Sequence, residues 1–355
     1  MYIIGQLRHG GQETQLYYLL KNIDRKNFFP NLVVWNYRSD EFYVKKIKEL
    51  KIKIYSLGNS NHATVKLFKL RKLVSDLQPQ ILHSYSFYTN FIAHLSCINL
   101  KTIAIGSIRS SYISSLIENG QIYGRLNVKF PAHQISNNFN AMKEIEIGSK
   151  FWIPKDLKVI TNGIETDIDY SKSPSNDKFN IIGIGSLSPI KNWELLIDIC
   201  NDLLNSKKKF NIIIVGDGPT KSKLQSKIDN FDIGNYIQLV GKQDNVEKFI
   251  QEAHLLVHVS KYEGFPNVIM EAMVYGKPII ASDVGDISFM VKNGLNGYVI
   301  KELHSENFYK KILKIMNDKD LLMKMGKESR KVALKLFSMQ QFVSKTIDYY
   351  DRIKT

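Results

Sequence analysis

Leu255-Leu256-Val257-His258-Val259-Ser260-Lys261-Tyr262-Glu263-Gly264-Phe265-Pro266-Asn267-Val268-Ile269-Met270-Glu271-Ala272-Met273 is the stretch on which the reading of this 355-residue chain turns. Leu255 to Val259 is an apolar, β-branched run of the kind a strand buried on both faces requires, and it predicts a parallel strand. The run stops at a Ser-Lys-Tyr-Glu-Gly loop. Pro266 suits the first turn of a helix, where its missing N–H would be unpaired anyway, and Val268 to Tyr275 continue with helical spacing. The loop therefore sits at the carboxyl end of a strand, where open α/β sheets bind ligands and where a helix start offers free N–H groups to an anion. Glu263 falls in the loop and Glu271 in the helix. Carboxylates only accept hydrogen bonds, so two of them beside N–H donors suit a ligand with both hydroxyls and phosphates, such as a nucleotide sugar. Two glutamates eight positions apart are also common as solvated surface residues.

Working outward, length and composition set the frame. A chain this long exceeds one ordinary core and predicts two domains. Hydrophobic residues make up 44%, and no tract is biased enough to suggest disorder. Cys97 and Cys200 are too far apart for a disulfide framework or metal spacing and read as small buried residues in a reducing compartment. No apolar span reaches membrane length and no signal core opens the chain, so a cytoplasmic protein is expected. The formal net charge is +15, and residues 1–170 hold 22 Lys and Arg against 13 Asp and Glu, so nine of the fifteen charges lie there. Lys45 to Lys53 and Lys66 to Leu73 mix basic and apolar residues, as in a helix resting on the anionic inner face of the plasma membrane. An ordinary outer helix of an α/β domain has the same pattern. No helix-turn-helix, zinc-finger or RNP pattern accompanies the charge, which argues against nucleic acid.

In chain order, Tyr2-Ile3-Ile4 predicts a first strand, followed by the turn Gly10-Gly11-Gln12-Glu13 and a helix through Leu16, Leu19 and Leu20. Paired glycines let backbone approach a ligand closely. Strands are expected at 31–35, 52–55, 80–86, 102–108, 134–138 and 158–164, with His83 and Arg109 near two of their carboxyl ends. Strands alternating with helical segments predict a doubly wound parallel sheet. The polar connector Ser171–Asp177 is the best linker candidate. A second alternation comes next, with strands at 179–185, 210–215, 236–241, 255–259 and from Pro278, and a helix from Trp193 to Leu204. Lys191 stands ahead of that helix, the end cations usually avoid, which makes sense if an anion lies between it and the helix start.

With these pieces in order the chain resembles the retaining glycosyltransferases of the GT-B fold, family 4 (glycosyl transferases group 1). The resemblance is carried by Gly10-Gly11-Gln12-Glu13, Thr161-Asn162-Gly163-Ile164, Gly185 to Asn192, Gly216-Asp217-Gly218-Pro219, Tyr262 to Met273, Gly276-Lys277-Pro278 and Asn296-Gly297. It implies an α/β architecture of two Rossmann-like domains facing each other across a cleft. Residues 1–172 would bind the acceptor, residues 173–336 the nucleotide sugar, and a helix at 337–355 would cross back to the first domain. It further implies that Glu271 holds the donor's ribose. Glu263, with Gly264, Phe265, Pro266, Asn267 and Val268, would hold the sugar and diphosphate, and Lys191 would neutralise the leaving diphosphate. Gly10, Gly11, Ser186 and Gly241 would complete the donor site. Ser186 stands where relatives commonly carry an arginine, and the histidine many relatives place on the N-terminal rim is missing, with Arg109 or His83 as substitutes. The stretch Asp286-Ile287-Ser288-Phe289 stands where the family's usually ends in glutamate. No metal and no cofactor is implied, and no Asp-x-Asp motif counts among the signals.

The leading expectation is transfer of a hexose-type sugar, with retention, from a nucleotide sugar to a glycan or lipid-linked acceptor in bacterial surface polysaccharide or lipopolysaccharide synthesis, UDP being favoured over GDP. A GT-B sugar-nucleotide epimerase and a catalytically silent nucleotide-sugar-binding protein are the alternatives. A glycosidase is disfavoured, because its two carboxylates must flank a scissile bond and these come from one loop and its helix.

Overall fold

The computed structural model describes residues 1–58, 60, 62–148, 150–168 and 178–354. The chain divides into two compact units, Met1–Gly163 with Met339–Thr355, and Ile164–Ser338. The connector Ser171–Asp177 and the expected boundary at 172/173 lie outside the described residues.

The first unit contains β1 (Tyr2–Ile4), β2 (Asn31–Val34), β3 (Lys53–Ser56), β4 (Ile81–Ser84), β5 (Ile103–Ile108), β6 (His133–Ser136) and β7 (Asp156–Val159). They form one sheet in the order β3-β2-β1-β4-β5-β6-β7, and every pairing is parallel. Alternation explains the apolar runs: Tyr2 and Ile4 enter one core while Ile3 enters the core on the opposite face. The strand expected at 158–164 is shifted; β7 stops at Val159, and Ile164 makes only an isolated bridge to Ser338.

The second unit contains β8 (Phe179–Ile184), β9 (Phe210–Val215), β10 (Ile237–Leu239), β11 (Leu255–His258), β12 (Ile279–Ser282) and β13 (Gly297–Ile300), ordered β10-β9-β8-β11-β12-β13 and again all parallel. Leu255 and Val257 pack into one core and Leu256 into the other. The helix Trp193–Leu204 buries one stripe, including Leu196, Ile199, Cys200 and Leu203, against the sheet. The helix after β11 runs Asn267–Val274, so Pro266 holds the extended capping position (φ −71°, ψ 115°) rather than the first turn.

The helix expected from Phe337 runs Met339–Lys354 and buries Phe342, Tyr349 and Tyr350 in the first unit's core. Of the two basic stretches, the second lies within the helix Ala63–Leu77 and exposes Phe68, Lys69 and Lys72. The first is split between the helix Phe42–Glu49 and β3. In the second, Lys66 is buried, donating from Nζ to the Trp35 carbonyl at 2.8 Å and to Asn36 Oδ1 at 2.7 Å. Cys97 and Cys200 are buried free thiols. No helix among the described residues is long and apolar enough to cross a membrane.

Candidate active site

In the second unit the strand order reverses between β8 and β11, neighbours in the sheet whose connections leave in opposite directions. A crevice opens at such a point beyond the carboxyl ends of the strands. The loop after β8 supplies Gly185 to Lys191 and the loop after β11 supplies Val259 to Gly264. A backbone bond from Lys261 N to the Ile190 carbonyl, 2.8 Å, ties the two loops together. The side chains next to that tie meet: Lys191 Nζ donates to Glu263 Oε1 at 2.5 Å. Side-chain exposures of 21% for Lys191 and 11% for Glu263 leave the pair partly open to a ligand.

Sequence reasoning missed a third member. His258, the last residue of β11, brings Nε2 to 3.1 Å from the same Glu263 Oε1. Its only sequence signal is a polar side chain interrupting an otherwise apolar strand. Burial works against ionisation of Glu263, yet His258 and Lys191 outweigh it and hold the carboxyl down at about 2. Glu263 is therefore held as an anion, with Oε1 hydrogen-bonded by Lys191 and within ion-pair distance of His258.

The loop after β12 fixes the other side. Asp286 N donates to the Gly264 carbonyl at 3.0 Å. Gly285 adopts φ +55°, and a Cβ there would lie 2.3 Å from the Glu263 carbonyl oxygen, so only glycine fits. Behind the loop Phe265 is buried against Phe337, with ring centroids 5.5 Å apart, and Pro266 is buried too. Asn267 and Val268, half-buried, open the helix. One turn on, Glu271 is pushed up to about 7 by burial, with Glu247 adding to the shift. Glu263 and Glu271 are thus in opposite states below neutrality, one ionised and one protonated. Ser186 is exposed, its Oγ 3.1 Å from Ser188 Oγ, and its carbonyl accepts the Trp193 indole N–H at 2.9 Å. Gly241, at φ +74° beyond β10, accepts from Gly216 N at 2.9 Å.

Residues 165–332, nearly the whole of this unit, match the family model of glycosyl transferases group 1. The unit belongs to that family. Over the full chain, an uncharacterised glycosyltransferase of Methanocaldococcus jannaschii is 26% identical across 354 residues, covering 96% of this chain and 91% of the relative. Among solved structures, Anabaena HepE in complex with UDP-glucose superposes with a TM-score of 0.83 at 18% identity, covering 99% of this chain and 98% of the other. The lipopolysaccharide outer core galactosyltransferase WaaB in its apo form gives 0.79 at 16% identity and full coverage of both chains, 100% each. The fold is GT-B, two Rossmann-like α/β domains in one chain.

In the N-terminal unit the order reverses between β1 and β4. Gly10 caps and Gly11 begins the helix Gly11–Asn22. Ser86 Oγ accepts from Gly5 N at 2.9 Å and from Gln12 Nε2 at 2.7 Å, and in the same loop Glu41 accepts from Leu7 N at 2.6 Å and from Arg8 Nε at 3.3 Å. Buried Glu13 is pushed up to about 7 by burial, with Glu41 contributing and a backbone hydrogen bond opposing. His83 is 1% exposed. Its Nδ1 lies 2.6 Å from the Tyr350 hydroxyl and its Nε2 3.0 Å from Ser107 Oγ. Burial, with Arg109 adding, keeps its pKa well below the usual imidazole range. That placement gives His83 a packing role. Arg109 lies over the Tyr85 ring, 3.8 Å from guanidinium carbon to centroid, with its Nε buried and unpartnered.

Two Asp-x-Asp triplets do occur, against the expectation of none. In Asp318-Lys319-Asp320 the first carboxylate caps a helix, accepting from Leu321 N at 2.8 Å. In Asp167-Ile168-Asp169 the first is exposed and Asp169 lies outside the described residues.

Proposed function

We propose that this glycosyltransferase is a retaining enzyme that moves a hexose-type sugar from a nucleotide sugar, UDP-linked in preference to GDP-linked, to a glycan or lipid-linked acceptor in bacterial surface polysaccharide or lipopolysaccharide synthesis. The observation that carries the reading is the Lys191–Glu263 pair at the β8/β11 reversal, joined through the Lys261–Ile190 backbone bond. Cleaving a bond between an anomeric carbon and a phosphate oxygen leaves negative charge on the diphosphate. Lys191 is the cation placed to meet it, with N–H groups from Gly264 to Val268 beside it, and losing one such donor costs about 2.7–4 kcal/mol. Glu263 keeps Oε2 for sugar hydroxyls, and Glu271 accepts from the ribose. Lys191 supplies the positive charge in this reading, so no metal or cofactor is assigned. The relatives' descriptions support the donor and acceptor classes, HepE being bound to UDP-glucose and WaaB acting on the lipopolysaccharide outer core. Contact with an anionic membrane would bring a lipid-linked acceptor within reach.

One observation favours a silent nucleotide-sugar-binding protein: Ser186 brings no second cation to Lys191, its hydroxyl being turned to Ser188. A ligand-observed NMR screen against UDP-glucose, UDP-galactose, UDP-N-acetylglucosamine and GDP-mannose, repeated with Glu271→Ala, tests the site. One donor is expected to bind and to be lost in the variant. Binding of none to either protein would sink the donor assignment. Binding that survives without hydrolysis or transfer of the sugar, in the presence of acceptor extracts, would select the silent reading.

A further inference from the structure

Glu263 Oε1 is shared by groups that it cannot serve equally. Lys191 Nζ lies 2.5 Å away and His258 Nε2 3.1 Å away, yet neither nitrogen of the His258 ring makes an aligned hydrogen bond. This imidazole is 2% exposed, so bulk solvent does not reach it either. Buried polar side chains nearly always have a partner, and one without needs a reason. Packing gives none. The other side chains of the run, Leu255, Leu256, Val257 and Val259, are apolar and fully buried, and another aliphatic residue would extend it.

The reason lies in what a diphosphate would do to the ion pair. Lys191 in its present position is held by Glu263. To neutralise a leaving phosphate it must turn away, and Glu263 would then be a buried carboxylate stripped of its cation, the costly outcome when one member of a buried pair is removed. We propose that His258 is a positioning residue that takes over Glu263 when Lys191 engages the donor's diphosphate, keeping the carboxylate paired and aimed at the sugar. The inference rests on the donor-binding reading of Lys191 and Glu263. It explains the unsatisfied Nε2: Lys191 and His258 are alternative partners of one oxygen. The 3.1 Å separation is already within hydrogen-bond range, so the exchange calls for realignment of the Glu263 carboxyl rather than a closer approach.

Two arms test the exchange, one without any nucleotide. In protein labelled with 15N-histidine, the His258 signals are identified by their loss in His258→Gln. Replacing Lys191 by Met imitates its departure, and the His258 Nε2 proton should then move downfield and exchange more slowly than in the parent. Adding Glu263→Gln to Lys191→Met should shift that proton again, since its acceptor has changed from an anion to an amide. A His258 signal unmoved by Lys191→Met overturns the proposal whatever binds. In the second arm, UDP affinity is measured for His258→Phe, which keeps a ring but no donor, and for His258→Gln, whose amide N–H can still reach the carboxylate. Affinity should fall on the order of tenfold in the first and largely recover in the second. Equal affinities in both variants and the parent overturn the exchange. If UDP fails to bind the parent while the ligand-free signal moves as described, the partner exchange is supported and the UDP reading of the site is what fails.

Discussion

The two sheets reverse their strand order in the same way, and the crevices at the two reversals are filled with different chemistry. Between β1 and β4 stand Ser86, Gln12 and the Gly5 amide, satisfying one another, with Arg8 paired to Glu41 in the same loop and Glu13 pushed up by burial. Between β8 and β11 stand Lys191 and Glu263, charged, partly open to solvent and backed by His258. One topology thus gives a closed polar network in one unit and a partly unsatisfied site in the other. The difference comes from the connections at the strand ends. Backbone ties hold the loops in both units, Asn36 N to the Gly5 carbonyl and Tyr43 N to the Leu7 carbonyl in the first and Lys261 N to the Ile190 carbonyl in the second, so the difference lies in the side chains each loop carries.

The sharpest way to break this contrast is to remove its charge. Lys191→Ala should lower the rate of sugar release from the donor found in the screen by about 10²–10³-fold, the cost of one lost oxyanion partner, in a quantitative nucleotide-release assay. An unchanged rate would place the chemistry elsewhere. Gly285→Ala comes next: a Cβ pressed on the Glu263 carbonyl at φ +55° should cost about 1–3 kcal/mol in a denaturant titration and weaken donor binding with it.

The pH dependence of stability separates the two glutamates. Glu271 titrates near 4.5 in the unfolded chain and at about 7 in the folded one, so the folded state holds the extra proton between those values. Its stabilising contribution is complete below the lower value and is lost as pH rises through the higher one. Glu271→Gln should therefore flatten the fall in stability between pH 5 and pH 8, by about 1–3 kcal/mol by urea unfolding. A slope identical to the parent's would mean that Glu271 is solvated and already ionised. The smallest effect belongs to the N-terminal crevice. Ser86→Ala removes the acceptor of two hydrogen bonds and should cost about 1 kcal/mol of stability, with donor affinity in the C-terminal unit unchanged by isothermal titration. If it slowed turnover as much as Lys191→Ala, the contrast would collapse.

Much of the architecture can be read from residues alone because a strand buried on both faces has no polar position to spare. Leu255-Leu256-Val257 is such a run, and the helix Trp193–Leu204 has the boundaries its spacing predicts. Loop residues are legible as types rather than as neighbours. Lys191 and Glu263 are 72 positions apart, and their meeting depends on a backbone bond that no side chain advertises. His258 was hidden because one polar residue in an apolar run reads as noise. Lys66 misled in the opposite sense. A lysine in a basic amphipathic pattern reads as surface, and this one turns inward because the Trp35 carbonyl and Asn36 need a donor. Pro266 was misplaced by one position, since extended cap geometry and the first helical turn both accommodate its ring.

The N-terminal unit is built from two separated pieces of chain, Met1–Gly163 and Met339–Thr355, whereas the C-terminal unit is continuous from Ile164 to Ser338. During synthesis the first 163 residues leave the ribosome without Phe342, Tyr349 and Tyr350, side chains that fill their core, and His83 waits for the Tyr350 hydroxyl at its Nδ1. The sugar-transfer family's own unit can close as soon as Ser338 has emerged. Birth order is thereby inverted: the half translated first is the half completed last.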